Sequence, residues 1–216
     1  MSPVNPVGRP IDRGKDRAIL AAARELLFGE GPQAVTMEAV AARAGVAKAT
    51  VYARHVNREA LIHAVVVEQS AQFSVHLVNE PADFACLRAT LVRFCEQLLG
   101  FLTSDERLMV MRTLGATTGL PDSVFHKIYR AGPQATQDGL ARWFESVAAS
   151  GIMRCPEPVR SAELLLGMLI GLEQVRSIYR VACVHTEPTA RRPHVDFVVD
   201  TFLRAHAARD EDVDES

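Results

Sequence analysis

The stretch Thr36–Leu61, TMEAVAARAGVAKATVYARHVNREAL, decides the fold. Met37, Val40, Ala41 and Ala44 stand at i, i+3, i+4 and i+7, one apolar face of a helix of about two turns. Thr36 stands at its N-cap, and Glu38 in the first turn suits the positive end of the helix dipole. Gly45 follows as a left-handed C′ glycine. A second short helix is predicted from Ala47 to about His55, with Val46 plugging the gap and Asn57 capping a third. Two short helices joined by a tight glycine turn form a helix-turn-helix, whose second helix enters a DNA major groove. On that helix Lys48, Ala49, Tyr52 and Ala53 share the outward face while Val51 points inward. Lys48 is suited to donate to guanine O6/N7 or to a phosphate, and Ala49 and Ala53 allow close approach to a thymine methyl.

From Arg17 to Leu61 the chain resembles the DNA-binding domain of the TetR/AcrR family of bacterial transcriptional regulators. The residues that carry the resemblance are Ala22, Leu26-Leu27-Phe28, Gly31, Thr36, Val40-Ala41, Ala44-Gly45-Val46, Lys48-Ala49-Thr50-Val51-Tyr52, Asn57-Arg58-Glu59 and Leu61. Four positions depart from the family pattern: Ala47 stands where Ser is frequent, Arg54 where His is frequent, His55 where an aromatic plug packs, and Arg58 where Lys is usual. The resemblance implies that Thr36, Tyr52 and Arg58 hold phosphates, with Arg54 in phosphate reach and Thr50 in the same DNA-binding set. It also implies that Arg9 of Gly8-Arg9-Pro10 enters the minor groove, whose narrow A·T tracts attract arginine.

The charge distribution fits a basic head on an acidic body. Residues 1–60 hold nine Lys/Arg against six Asp/Glu, while the whole chain of 216 residues has a net charge of −2. Cys86, Cys95, Cys155 and Cys183 show no C-x-x-C spacing and are read as four buried thiols of a reduced cytoplasm. No secretory h-region is expected in the first ten residues, and the longest apolar run, Leu164–Leu172, is far short of the ~20 residues of a membrane span. The chain is expected to be cytoplasmic, with no membrane partner. There is no G-x-S-x-G, H-E-x-x-H, P-loop or G-x-G-x-x-G, so the sequence points away from an enzyme, a metal site or a cofactor.

No segment alternates with a strand's period, and the sequence predicts an all-α chain of about nine helices. Three form the helix-turn-helix head, residues 1–56 with a flexible N-terminal arm; the others form an effector-binding and dimerisation body, residues 57–208; an acidic tail occupies 209–216. Within the body, helices are predicted over 58–79, from Pro81 to about Thr103, from a Ser104 cap onward, over 121–130, over 134–150 after an interruption at Gly132-Pro133, over 159–181 as one long helix, and after a polar hinge at Thr186–Pro193. Phe94, Met109, Arg112, Phe125, Trp143 and Met168 are candidates to line an effector pocket, since such pockets combine apolar walls with a few polar groups. Ala162, Leu165, Leu166, Leu169 and Glu173, with Val195, Val198 and Phe202 on the last helix, are expected to form a twofold dimer interface. With the family resemblance, the expectation is a homodimeric repressor, released from a palindromic double-stranded DNA operator by a small-molecule effector. The alternative is a DNA-binding structural or effector-independent regulator without a ligand pocket; an enzyme carrying a helix-turn-helix would need convergent titratable groups that the sequence does not display.

Overall fold

A computed structural model describes residues 13–74, 77, 79–105, 107–108 and 122–207. The described residues contain helices and turns and no strand. The chain divides into two compact units, Met1–Val65 and Val66–Ser216, with the division inside a helix.

In the first unit, α1 (Arg13–Gly29) buries Ile19, Ala22, Ala23, Leu26 and Leu27, spaced for one helical face. A 3₁₀ turn (Pro32–Ala34) leads to α2 (Met37–Ala44), which packs on α1, and α3 (Lys48–Tyr52) packs on α2. The expected capping of α2 is present. Thr36 Oγ1 accepts the Ala39 N–H at 3.1 Å. Gly45 lies at φ 65°, and the Val46 N–H closes the helix on the Ala41 carbonyl at 3.0 Å. α3 stops at Tyr52, short of the expected His55. There the Arg54 N–H turns to the Val51 carbonyl three residues back, tightening the last turn. Asn57 Oδ1 then accepts the Ala60 N–H at 2.8 Å and caps α4 (Arg58–Ser74). Leu61, Ile62 and Val65 on α4 are buried and fall in the first unit.

In the second unit, α5 (Phe84–Leu102) is capped by Asp83, whose Oδ1 accepts the Cys86 N–H at 2.7 Å; Pro81 does not start it. α6 (Asp122–Tyr129) runs through a π-helical turn (Arg130–Gln134) into α7 (Ala135–Ala149). The interruption expected at Gly132-Pro133 is therefore a wider helical turn, which accommodates a proline that has no N–H to donate. The long helix expected over 159–181 is two. α8 (Pro158–Ile170) ends where Gly171 takes φ 49° and ψ −125°, a conformation closed to side chains with a Cβ, and α9 (Glu173–Ile178) follows. α10 (Pro188–Ala205) starts within the expected hinge, with Pro188 in its first turn.

α7 packs on α8, and α10 packs on both α5 and α8. Phe144 of α7 and Phe202 of α10 stack in this core with ring centroids 5.3 Å apart. Arg88 of α5 ties to Asp196 and Asp200 of α10 at 2.9 and 2.6 Å. The residues expected at the dimer interface pack largely within the chain's own core. Ala162, Leu165, Leu169, Val195, Val198 and Phe202 are all buried in the chain's own core, Leu166 is half-buried against it, and Glu173 is 3% exposed. These side chains already have their partners within one chain. Cys95 and Cys155 are buried as expected, but Cys86 is exposed and Cys183 half-buried. No helix among the described residues is long and apolar enough to cross a membrane.

Candidate DNA-binding surface

The short span of α3 concentrates its exposed groups. Lys48, Ala49, Tyr52 and Ala53 are exposed along one side, Thr50 is half-buried and Val51 is fully buried. Val51 thereby fixes the rotation of α3 about its axis and sends the other four outward. The Lys48 ammonium pairs with Glu38 of α2 and stands 5.7 Å from the centroid of the Tyr52 ring. The Lys48 hydrogen bond holds the Glu38 carboxyl below its usual range, and the Glu38 bond holds the Lys48 ammonium above its own, so both stay charged at neutral pH.

Two of the arginines expected at phosphates are engaged within the first unit. Arg54 is ion-paired with Asp16 of α1 and lies 3.4 Å from the Thr50 carbonyl, with its side chain 19% exposed. Arg58 donates to the Pro32 carbonyl at 2.5 Å and to Gln33 at 3.3 Å. Both side chains brace the helix-turn-helix instead of standing free on its outer face. The Arg43 guanidinium, which had no expected DNA role, bridges Glu25 and Glu30 at 3.3 and 3.0 Å. Thr36 is exposed but spends an oxygen lone pair on its cap. Arg9 lies outside the described residues.

His55 occupies a half-buried site where the resemblance placed an aromatic plug. Burial is the largest influence on its imidazole and, with Arg54 nearby, outweighs the attraction of Asp16, so the pKa falls below its ordinary value. A neutral ring is the form that packs. Glu38 and Asp16 were not singled out by sequence reasoning as partners of the basic face. Their partners are ten and 38 positions away, beyond any i, i+4 rule.

In the second unit, the described candidates for an effector pocket lie in or beside the core. Phe94 is fully buried in the core, and Trp143 is buried with its Nε1–H donating to the Asn79 carbonyl at 3.1 Å. Phe125 and Met168 are half-buried; Met109 and Arg112 lie outside the described residues. A polar cluster that the sequence did not announce surrounds Glu173. Its carboxylate accepts from the Val184 N–H at 3.1 Å and from Arg176 at 2.7 Å, and meets His185 Nδ1 at 2.9 Å. The His185 ring stacks on His194 at 4.1 Å, and His194 Nε2 donates to the Leu169 carbonyl at 3.0 Å. Glu173 thus fastens the segment after α9 to the start of that helix. Among the described residues no group of three or more His, Cys, Asp or Glu side chains is placed to hold a metal ion.

Residues 19–65 match the family described as bacterial regulatory proteins, tetR family, and residues 89–208 match the AefR-like transcriptional repressor C-terminal domain. An uncharacterized HTH-type transcriptional regulator of Bacillus subtilis (strain 168), YdeS, is 35% identical over 109 residues, which span 50% of this chain and 52% of that relative. The chain thus matches about half the length of this curated relative. Among solved structures, a TetR-family regulator from Mesorhizobium loti superposes with a TM-score of 0.70 at 22% identity, covering 91% of this chain and 100% of that one. The flavonoid-responsive regulator FrrA superposes with a TM-score of 0.65 at 25% identity, over 91% and 98% of the two chains. The second match covers most of the body and the first covers the helix-turn-helix, so between them they take in both units: the chain belongs to the TetR family of transcriptional regulators.

Proposed function

We propose that the chain acts as a homodimeric repressor that binds a palindromic operator through α3 and is released by a small organic effector. The observation that carries the reading is the exposed face of α3. Its cation and aromatic ring lie side by side, and its two alanines leave room for a base edge. Lys48 then exchanges Glu38 for a base or phosphate, and Tyr52 supplies a phosphate contact. Thr36 offers its remaining lone pair and its hydroxyl proton at the groove edge. Arg54 acts by holding the end of α3 against α1, and Arg58 by holding the start of α4 against the 3₁₀ turn. A head of residues 1–56 and a body of 57–208 remain the functional division we favour, with the regulator working in the cytoplasm.

The dimer is drawn on a different surface from the one the sequence suggested. Leu172, Val175, Ile178 and Tyr179 follow one another through α9 and the residues on either side of it, and Phe197 is exposed on α10. A stripe of large apolar side chains of this length, with Ile178 at 74% and Phe197 at 66% exposure, is what an isologous interface would cover. Two α3 helices held about 34–36 Å apart would then meet successive major grooves. Similarity to the flavonoid-responsive regulator FrrA supports control by a small organic molecule, acting by differential affinity for two states of the body. The packing of Phe94 and Trp143 into the core favours the second reading, an effector-independent regulator.

The test is a footprint on the DNA flanking the gene, with sedimentation of the same protein. A protected palindrome and a dimer at micromolar concentration are expected. Ile178→Glu should leave a helical monomer with greatly weakened operator binding. A wild-type chain that sediments as a monomer, or that protects no site, removes the repressor reading.

A further inference from the structure

A cavity of about 390 Å³ lies in the second unit, between the connection from α7 to α8, the first turns of α8 and the end of α10. Arg154, Glu157, Arg160, Ser161 and His206 supply its polar wall, and Pro156, Leu164, Ala205 and Ala207 supply its apolar wall. None of the residues expected to bind the effector lines it. We propose that this cavity binds a small organic acid, its carboxylate on Arg154 and Arg160 and its apolar body on Pro156, Leu164 and Ala205. The proposal does not depend on the operator or dimer readings.

Charge sets the class of ligand. Arg160 is paired with Glu157 at 3.2 Å, which leaves the Arg154 guanidinium uncompensated. The cavity therefore carries one excess positive charge on a chain whose net charge is −2. A monoanion balances that excess, and a planar carboxylate matches the guanidinium fork. The wall is also built to stay in place. The Arg154 N–H donates to the His206 carbonyl at 2.9 Å, tying the connection to the end of α10. His206 Nδ1 donates to the Phe202 carbonyl at 2.9 Å, so in the neutral ring Nε2 accepts from the Ser161 hydroxyl at 2.9 Å.

The Ser161 and His206 pair is a hydroxyl on an imidazole, the beginning of a nucleophilic site, but the local backbone does not complete one. The Ser161 N–H is spent on the Glu157 carbonyl inside α8, which removes the amide an oxyanion would need there. With its proton on His206, the Ser161 hydroxyl is an acceptor, which leaves the two guanidiniums as the donors for an anion. The cavity also touches the core, because His206 stacks on Phe202 at 4.1 Å and Phe202 stacks on Phe144 at 5.3 Å.

Isothermal titration of the full chain with butyrate, butanol, inorganic phosphate and chloride at matched ionic strength tests the site. Saturable one-to-one binding of butyrate is expected, with no binding of butanol or chloride. Arg154→Gln should weaken butyrate by about tenfold or more, the scale of one charge-assisted hydrogen bond. Arg93→Gln, which leaves the cavity wall unchanged, should bind butyrate as the wild type does. Equal affinity of wild type and Arg154→Gln overturns the site. Butanol binding as well as butyrate would remove the role of the guanidiniums, and phosphate binding as well as butyrate would remove that of the apolar wall; either overturns the assignment to an organic acid.

Discussion

The first unit and the α8–α10 part of the second both carry clear helical periodicity, yet the first is far more legible. α2 and α3 are apolar on one side and polar on the other, so periodicity alone turns them the right way. α8 is apolar on both sides: Ala162, Leu165 and Leu169 are buried, while Leu164 is half exposed and Met168 half buried. A hydrophobic period identifies such a helix but cannot say which face meets its own chain and which is left for another. The cap signals behaved similarly. Thr36, Gly45 and Asn57 act locally and were readable; the break at Gly171 depends on a backbone angle that a run of good helix formers conceals.

The site divides along the same line. The outward set Lys48, Ala49, Tyr52 and Ala53 follows from one buried neighbour, Val51, and a helical turn. What Arg54, Arg58 and Lys48 touch was not readable, because Asp16, Pro32 and Glu38 reach them through the fold. In the body, the sequence places Glu173 on the dimer face of one long helix. It becomes the centre of a cluster because α9 ends at Ile178 and the chain reverses at Arg180, φ 58°, which brings Val184 and His185 back onto it.

The largest effect expected from this contrast is on the two faces of α8 and α10. Leu169→Ala, on the inner face, should cost about 2–5 kcal/mol of unfolding free energy, as cavities in close-packed cores do. Phe197→Ser, on the outer face, should change the stability of an isolated chain little while weakening self-association. Denaturant titration and sedimentation of both variants separate the two; a stable Leu169→Ala monomer would reverse the assignment of faces.

Next comes the Glu173 clamp. Burial pushes its carboxyl pKa up, but bonds from the Cys183 thiol, the Val184 N–H and His185 outweigh that and hold it below the ordinary 4.5. A carboxyl depressed in the folded state stabilises the fold above its unfolded pKa, and that contribution is lost as the pH falls below about 4.5. Glu173→Gln should lower stability at pH 7 by about 1.5–3 kcal/mol, the range for hydrogen bonds to a charged group. The difference from wild type should shrink in acid. A constant difference from pH 7 to pH 3 would show that the charge is not what Glu173 contributes.

On the head, Lys48→Ala should weaken the operator complex by about 1–3 kcal/mol and relax preference at one base position if the lysine reads a base. Glu38→Gln frees Lys48 from its partner and removes a negative charge near the DNA. It should therefore raise affinity for all sequences and narrow the gap between operator and non-specific DNA. Binding measured at fixed salt decides this, and unchanged discrimination in both variants would leave α3 without a reading role for its lysine.

The smallest effect tests why a histidine can sit in an aromatic plug's place. His55 is half-buried, and burial holds its pKa below the ordinary 6.5. As the pH falls through about 6.5, the unfolded chain takes up a proton that the folded ring resists until the lower folded pKa is reached. Stability contributed by the neutral ring is thus present above pH 6.5 and is lost across the window below it. His55→Phe removes the titration and restores an apolar ring, so its stability should be flat across that window while the wild type's falls. The comparison is best made by hydrogen exchange at amides of α1 and α3, which reports this unit apart from the body. If both proteins lose protection in parallel between pH 7 and pH 5, the acid sensitivity of the head lies elsewhere, and the ring at position 55 is held by its contacts without regard to its charge.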